Sequence, residues 1–466
     1  MTGVAKAVTA GFITTLLATQ AAWGQDSQDS VDQLKKDVQS LQEKVKALET
    51  QSQTPRAPLP GMPQTVGLAE EPMMQAPPDV TVLNTWLKDI KLSGFLDVGY
   101  TVNINNPKNP VTGFNNVDRS FDTQSNTFMP NMMELMLERV ATADSPAGLR
   151  LKIGAGRDAA VLYGTENWGT GAGSNFDLVE LYAEYLAPIG KGIDFKVGKM
   201  ATLAGFEVIE SKDNWSYSRS IIFTYAIPLT HTGLRATYSF WDLDMAKGVP
   251  GIAMTVGVNN GWNDAVDNNT GKTLEWQLSL NPVDWISAAA TIYWGDDPNG
   301  GANAAGAVPG INYSKRFVFD WVTTVTRGDW KFGVNFDYGS QDHGDPANGR
   351  MAEWSGVAGY IRWQMTHWFA PSIRIETMRD EDGFIAAGQG SGAPFFTTGL
   401  NGGGIVPSQV SIREATWANE MMINPNLTFR IELRHDWSTK YIFQEGGNPN
   451  GKKSENTLAF EAIFKF

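Results

Sequence analysis

From Leu92 to the last residue, apolar and polar side chains alternate one by one over segment after segment. Leu92, Leu96, Val98, Tyr100 and Val102 share one phase, and Ser93, Asp97 and Thr101 share the other. Leu149, Leu151 and Ile153 oppose Arg150 and Lys152, while Val179, Leu181, Ala183 and Tyr185 oppose Glu180, Tyr182 and Glu184. The pattern returns in Leu274, Trp276, Leu278 and Leu280 against Glu275, Gln277 and Ser279. It returns again in Leu427, Phe429, Ile431 and Leu433 against Arg430, Glu432 and Arg434. A period of two places each set on one face of a β-strand.

A soluble sandwich alternates in the same way, with its apolar face turned inward. Three features favour the inverted arrangement, apolar face out to lipid. The segments run to about 9–13 residues, the length a tilted strand needs to cross a bilayer. Tryptophans gather near segment ends at Trp241, Trp294, Trp330, Trp354, Trp368 and Trp437, as in interfacial girdles. Connections alternate short and long, the asymmetry of periplasmic turns against external loops. Strand starts are expected near residues 92, 131, 148, 176, 193, 231, 251, 272, 285, 314, 330, 353, 368, 410, 426 and 456. The expected fold is therefore all-β, a transmembrane antiparallel barrel of about 16 strands, a width that leaves an aqueous channel. Closure is required because lipid satisfies no backbone group. Leu458, Phe460, Ala462, Phe464 and Phe466 end the chain on one aromatic-rich face, as in the recognition end of outer-membrane proteins.

Three segments precede the barrel. Residues 1–24 read as a secretory leader, with Lys6 before the apolar stretch Ala7–Leu17 and a small-x-small site at Ala22-Trp23-Gly24. Residues 25–50 carry a seam of Val31, Leu34, Val38, Leu41, Val45 and Leu48, spaced three and four apart, which predicts a short periplasmic coiled-coil helix. Residues 51–85 are a Pro-rich linker, and 86–466 are the barrel. The coiled coil implies a homo-oligomer. Val at a with Leu at d leans to two strands, whereas porins are usually trimers, and the trimer is favoured with the dimer left open.

Composition removes other classes. The chain has 466 residues, net charge −13, 48 glycines, 16 tryptophans and no cysteine. An acidic chain is a poor partner for nucleic acid. Without Cys there are no thiolate zinc sites, Fe–S clusters or Cys nucleophiles. The four histidines, His231, His343, His367 and His435, lie far apart without metal-ligand spacing. Gly446-Gly447-Asn448-Pro449-Asn450-Gly451-Lys452 opens like a phosphate-binding loop, but Lys453 stands where Ser or Thr would ligate magnesium, and a hairpin loop is expected. No Gly-x-Ser-x-Gly elbow is present. Neither a catalytic group, a cofactor nor a metal is expected, and the chain reads as no enzyme.

The third long connection, residues 201–230, stands apart. It holds Glu207, Glu210, Lys212, Asp213 and Arg219, followed by apolar Ile221, Ile222, Phe223, Tyr225 and Ile227. Folded back into the barrel, it would bury the apolar residues against the wall and offer its charges to the channel. Those five charged residues are the expected constriction. Arg150, Lys152, Glu180, Glu184, Arg362, Arg374, Arg430, Glu432 and Arg434, on polar phases, are the expected pore lining.

At several stretches the chain resembles the OmpL-like putative beta-barrel porin family. These are Leu92-Ser93-Gly94-Phe95-Leu96-Asp97-Val98-Gly99-Tyr100, Phe121-Asp122-Thr123-Gln124-Ser125-Asn126, residues 205–220, Thr230-His231-Thr232-Gly233-Leu234-Arg235 and Asn259-Asn260-Gly261-Trp262. The resemblance implies an outer-membrane diffusion channel, and the chain reads as a passive porin in outer-membrane lipid for small hydrophilic solutes or ions. It names no solute. The competing reading is a structural barrel whose coiled coil contacts the cell wall and anchors the envelope.

Overall fold

In a computed structural model the described residues are 89–107, 116, 119–166, 168, 174–244, 249–267, 269–297, 314–345, 349–385, 409–446 and 448–466. The leader 1–24, the coiled coil 25–50 and the linker 51–85 lie outside them.

Sixteen antiparallel strands close into one barrel. They begin with β1 (Lys91–Asn103), β2 (Phe128–Arg139), β3 (Ala147–Ala155), β4 (Phe176–Ala187), β5 (Ile193–Ala201) and β6 (Thr230–Asp244). Next come β7 (Val249–Asn259), β8 (Thr273–Val283), β9 (Ile286–Asp296), β10 (Lys315–Arg327), β11 (Trp330–Gln341) and β12 (Ala352–Trp363). The last four are β13 (Phe369–Asp380), β14 (Val410–Asn424), β15 (Leu427–Ser438) and β18 (Ser454–Lys465). Between β15 and β18, β16 (Phe443–Glu445) and β17 (Asn448–Lys452) pair as a separate hairpin, where the phosphate-loop look-alike falls. β18 closes the ring on β1, with Tyr100 opposite Phe460 and Val98 opposite Ala462. The last residue joins in, Phe466 and Gly94 exchanging backbone hydrogen bonds of 3.0 Å.

The alternation is inverted, as segment length, the placement of tryptophans and the short–long connections predict. Leu92, Leu181, Val256, Phe332, Ile375 and Leu433 are exposed, while Asp97, Glu134, Arg235, Glu275, Arg374 and Glu432 are buried. No helix among the described residues is long and apolar enough to cross a membrane. Strands do the crossing. The two-residue turn Gly328-Asp329 between β10 and β11 takes positive φ at its first position, which glycine supplies without strain.

Two expectations need correction. Val179 does not face lipid. A bulge shifts the β3–β4 register between Lys152 opposite Glu180 and Ile153 opposite Leu178, so Val179 is the extra residue and is buried. Trp354 belongs to no girdle. It shares the inward phase with Gly356, Ala358 and Tyr360, is fully buried, and donates its indole N–H to the Ala226 carbonyl at 3.0 Å.

Inside the barrel lies an apolar core that alternation alone does not disclose. Phe95, Met132, Trp354, Ala358 and Met378 from the wall pack with Ile209, Ile221, Ile222, Phe223, Tyr225 and Ile227 from the β5–β6 connection. Two helices serve it: α1 (Arg157–Thr165) in the β3–β4 connection and α2 (Ile221–Tyr225) in the β5–β6 connection.

Candidate functional site

The β5–β6 connection runs across the barrel interior, and each stage of its path is tied to the wall. Near β8 and β9, Tyr293 accepts the Leu203 N–H at 2.9 Å and Gln277 donates to the Leu203 carbonyl at 2.8 Å. The Phe206 N–H then reaches Asn335 on β11 at 3.0 Å. Phe206 stacks on Tyr360 at 4.1 Å between centroids, with Trp215 edge-on.

The chain next turns through a single 3-10 turn, Ser211–Asp213. Lys152 pairs with Glu210, Ser211 hydrogen-bonds Glu461 of β18, and Arg430 donates to the Ser211 carbonyl at 2.8 Å. Glu432 accepts the backbone N–H groups of Tyr217 and Ser218, at 2.7 and 3.2 Å. Arg219 reaches Asp158 of α1 at 3.0 Å.

Helix α2 starts on a wall carboxylate. Glu376 accepts the Ile221 and Ile222 N–H groups at 2.7 and 3.1 Å, while Ser220 caps Phe223. These are the amides a helix start leaves without partners. Two wall glycines admit the segment: a methyl on Gly333 would overlap the Phe206 ring, and one on Gly356 would overlap Ile222.

The expected constriction residues thus divide. Glu207, Glu210 and Arg219 are buried and paired, whereas the side chains of Lys212 and Asp213, bonded to each other, are 25% and 55% exposed. The expectation that the whole set offers its charges to the channel is corrected: the first three are turned to the wall. Burial pushes the Glu210 carboxyl up, but the Lys152 ammonium, close and hydrogen-bonded, outweighs it and holds the group below the usual glutamate range.

The expected lining residues face inward, yet most are covered by protein. Arg374 is fully buried, bonding Glu414 at 2.7 Å, Glu207 at 2.6 Å and the Ser218 carbonyl at 2.7 Å. Arg430 pairs with Glu420 at 2.7 Å and Glu461 at 3.1 Å. Arg434 pairs with Asp436 at 2.7 Å and donates to the Arg219 carbonyl at 2.7 Å. Glu180 is buried with Lys152 at 2.9 Å. Arg150, Glu184 and Arg362, nearer the short turns, keep partial access to water. A buried charge is tolerable only with partners, and the β5–β6 connection supplies them.

Sequence reading missed several participants. Glu376, Glu414, Glu420 and Glu461 occupy the polar phase of their strands, so alternation could have found them. Arg119, buried among Asp122, Asp436 and Glu455, sits in a connection and left no periodic signal. Among the described residues, no group of three or more His, Asp or Glu could hold a metal ion.

Residues 89–466 match the family described as "Putative beta-barrel porin-2, OmpL-like". The chain belongs to that family. Porin-like architecture and outer-membrane location follow from the family and the barrel together. No curated protein matches the sequence.

Among solved structures, an anion-selective porin from Comamonas acidovorans is similar at TM-score 0.51 and 10% identity, over 81% of this chain and 99% of that one. The outer-membrane channel DcaP of Acinetobacter baumannii is similar at TM-score 0.50 and 11% identity, over 81% and 97%. Salmonella typhi OmpF, solved with daunomycin, is similar at TM-score 0.50 and 9% identity, over 81% and 97%. At such identities the shared property is the fold.

Proposed function

We propose that this porin-family barrel is a passive channel for small hydrophilic solutes or ions, narrowed by residues 201–230. The observation that carries the reading is a closed barrel of inverted polarity, in a porin family, with one connection folded across its interior. Water and solute pass between the tip of that connection, where Lys212 and Asp213 are exposed, and the β6–β10 wall. Towards the short-turn end of that wall the inward residues Thr237, Ser279, Ser287, Ala289 and Thr324 are small, uncharged and reached by solvent. Selection is steric, with Lys212 and Asp213 setting the local field. The charges buried against the opposite wall position the connection and act on solutes only through it.

The expected test result is stepwise conductance in planar bilayers. Lys212→Glu and Asp213→Lys should move the reversal potential across a salt gradient in opposite directions. Conductance no different from empty detergent would remove the proposal.

The finer features belong to the same reading. Residues 1–24 act as the export leader, 25–50 lie on the periplasmic side, and the assembly is a homo-oligomer, a trimer rather than a dimer. The short-turn end of the barrel carries the starts of β1 and the end of β18, which supports the periplasmic placement. Mass measurement in detergent of the full chain and of a chain lacking 25–85 tests the oligomer. The anchor reading gains no support from the family match, which covers the barrel alone.

A further inference from the structure

On the outer surface of the barrel, at its long-loop end, lies a groove of about 560 Å³. Arg379, Arg413 and Lys440 line it, and no carboxylate does. Its floor is set by strand register. Ser355, Arg379 and Ser411 lie side by side across β12, β13 and β14, and Val357, Thr377 and Arg413 form the next row. All six are outward positions, because the intervening residues Gly356, Met378, Asp380, Ile412 and Glu414 are the buried ones. Thr439 is fixed beside this floor by exchanging hydrogen bonds with Ser411, its N–H to the Ser411 carbonyl at 3.0 Å and the Ser411 N–H to its hydroxyl at 3.1 Å.

The charge here is uneven. Arg379 pairs with Glu381 at 2.5 Å, while Arg413 and Lys440 have no carboxylate partner among the described residues. A cation on the lipid-facing wall is unfavourable unless an anion or the interface meets it. Directly towards the short-turn end on the same face lie Ile373, Ile375 and Trp417, all exposed. A ligand that suits both parts carries phosphate at one end and acyl chains at the other.

We propose that this groove binds the phosphorylated headgroup of an outer-leaflet glycolipid. Arg379, Arg413 and Lys440 take the phosphate, Ser355, Ser411 and Thr439 donate hydroxyls, and the acyl chains lie along Ile373, Ile375 and Trp417. Bidentate guanidinium–phosphate pairing makes the two arginines the stronger contributors. The site is separate from the interior and stands whether or not the barrel conducts.

The test uses the full-length protein in detergent, with bis-phosphorylated lipid A as probe and its dephosphorylated form as control, both read by native mass spectrometry. The wild type should retain the phosphorylated probe at least tenfold better than the control. The combined variant Arg379→Ser, Arg413→Ser and Lys440→Ser should lose that preference while keeping the heat-resistant gel mobility of a folded barrel. If Arg413→Lys retains more of the preference than Arg413→Ser, charge is the operative property. Equal retention of the two lipids by the wild type would overturn the site, as would an unchanged preference in the folded triple variant. A triple variant that changes oligomer mass and not lipid retention would also overturn it, making the groove an interface between copies of the chain.

Discussion

Two walls of the same barrel, built from the same alternating strands, treat the interior differently. The wall of β12–β15 and β18 sends in Arg374, Glu376, Glu414, Glu420, Arg430, Glu432, Arg434 and Glu461, nearly all of it buried under the β5–β6 connection. The wall of β6–β10 buries its charges, Arg235 with Glu275 at 2.6 Å and Asp320, near the long-loop end, and below them sends in Thr237, Ser279, Ser287, Ala289 and Thr324, which keep contact with solvent. Ionisable residues inside a barrel are therefore no sure sign of contact with the permeating solution. Here most of them hold a segment in place, while the β6–β10 wall meets water with neutral side chains and only a few inward charges, such as Arg150, Glu184 and Arg362, stay partly wet.

The largest expected effect comes from breaking the ionic wall. Arg374→Ala leaves Glu207 and Glu414 buried without their cation, a loss of about 3–5 kcal/mol. Residues 201–230 should then become protease-sensitive in the folded barrel, and conductance should rise. Comparable loss is expected from Trp354→Ala, about 3–5 kcal/mol for a fully buried indole, read as a lower unfolding temperature. Gly356→Ala should cost about 1–3 kcal/mol by forcing Ile222 off the wall, whereas Gly359→Ala, which meets only one atom at 4.0 Å, should be nearly silent.

The pH dependence is smaller and has a definite sign. Glu210 has its pKa depressed by Lys152, so its stabilisation is present above the usual value near 4.5 and lost as pH falls through the lower, folded value. Protease resistance of residues 201–230 should stay level from pH 8 to 5 and fall only in stronger acid. The smallest effect is expected on the neutral wall, where Thr324→Ser should leave stability and ion preference within error.

Much of the fold was legible because it follows from period and parity. Alternation predicted the strands, strand length and terminal tryptophans predicted their inverted polarity, and the short–long rhythm of connections predicted their even number. The second strand begins at Phe128 rather than near 131, since Phe128-Met129-Pro130 interrupts the alternation that marks a start. Trp354 shows the limit of reading position without phase: its place near a strand end suggested a girdle, while its parity with Gly356 and Ala358 put it inside. The apolar run Ile221–Ile227 did signal a connection that leaves water.

What the connection's charges do was not legible. Glu207 meets Arg374 across 167 positions of sequence, and no local pattern reports a partner so distant. The same applies to Arg119 with Asp436, and to the bulge that turns Val179 inward.

The absence of cysteine allows the most direct test of the difference between the walls, because single cysteines can be read without background. Ser287→Cys on the exposed neutral wall and Thr416→Cys on the buried ionic wall, 2% exposed, are treated with a charged, water-soluble thiol reagent during current recording. Rapid modification with a stepwise fall in current at position 287, and none at 416, is the expected result. Rapid modification and block at 416 with an inert 287 would contradict it, placing the water column on the wall that the buried ion pairs are held to seal.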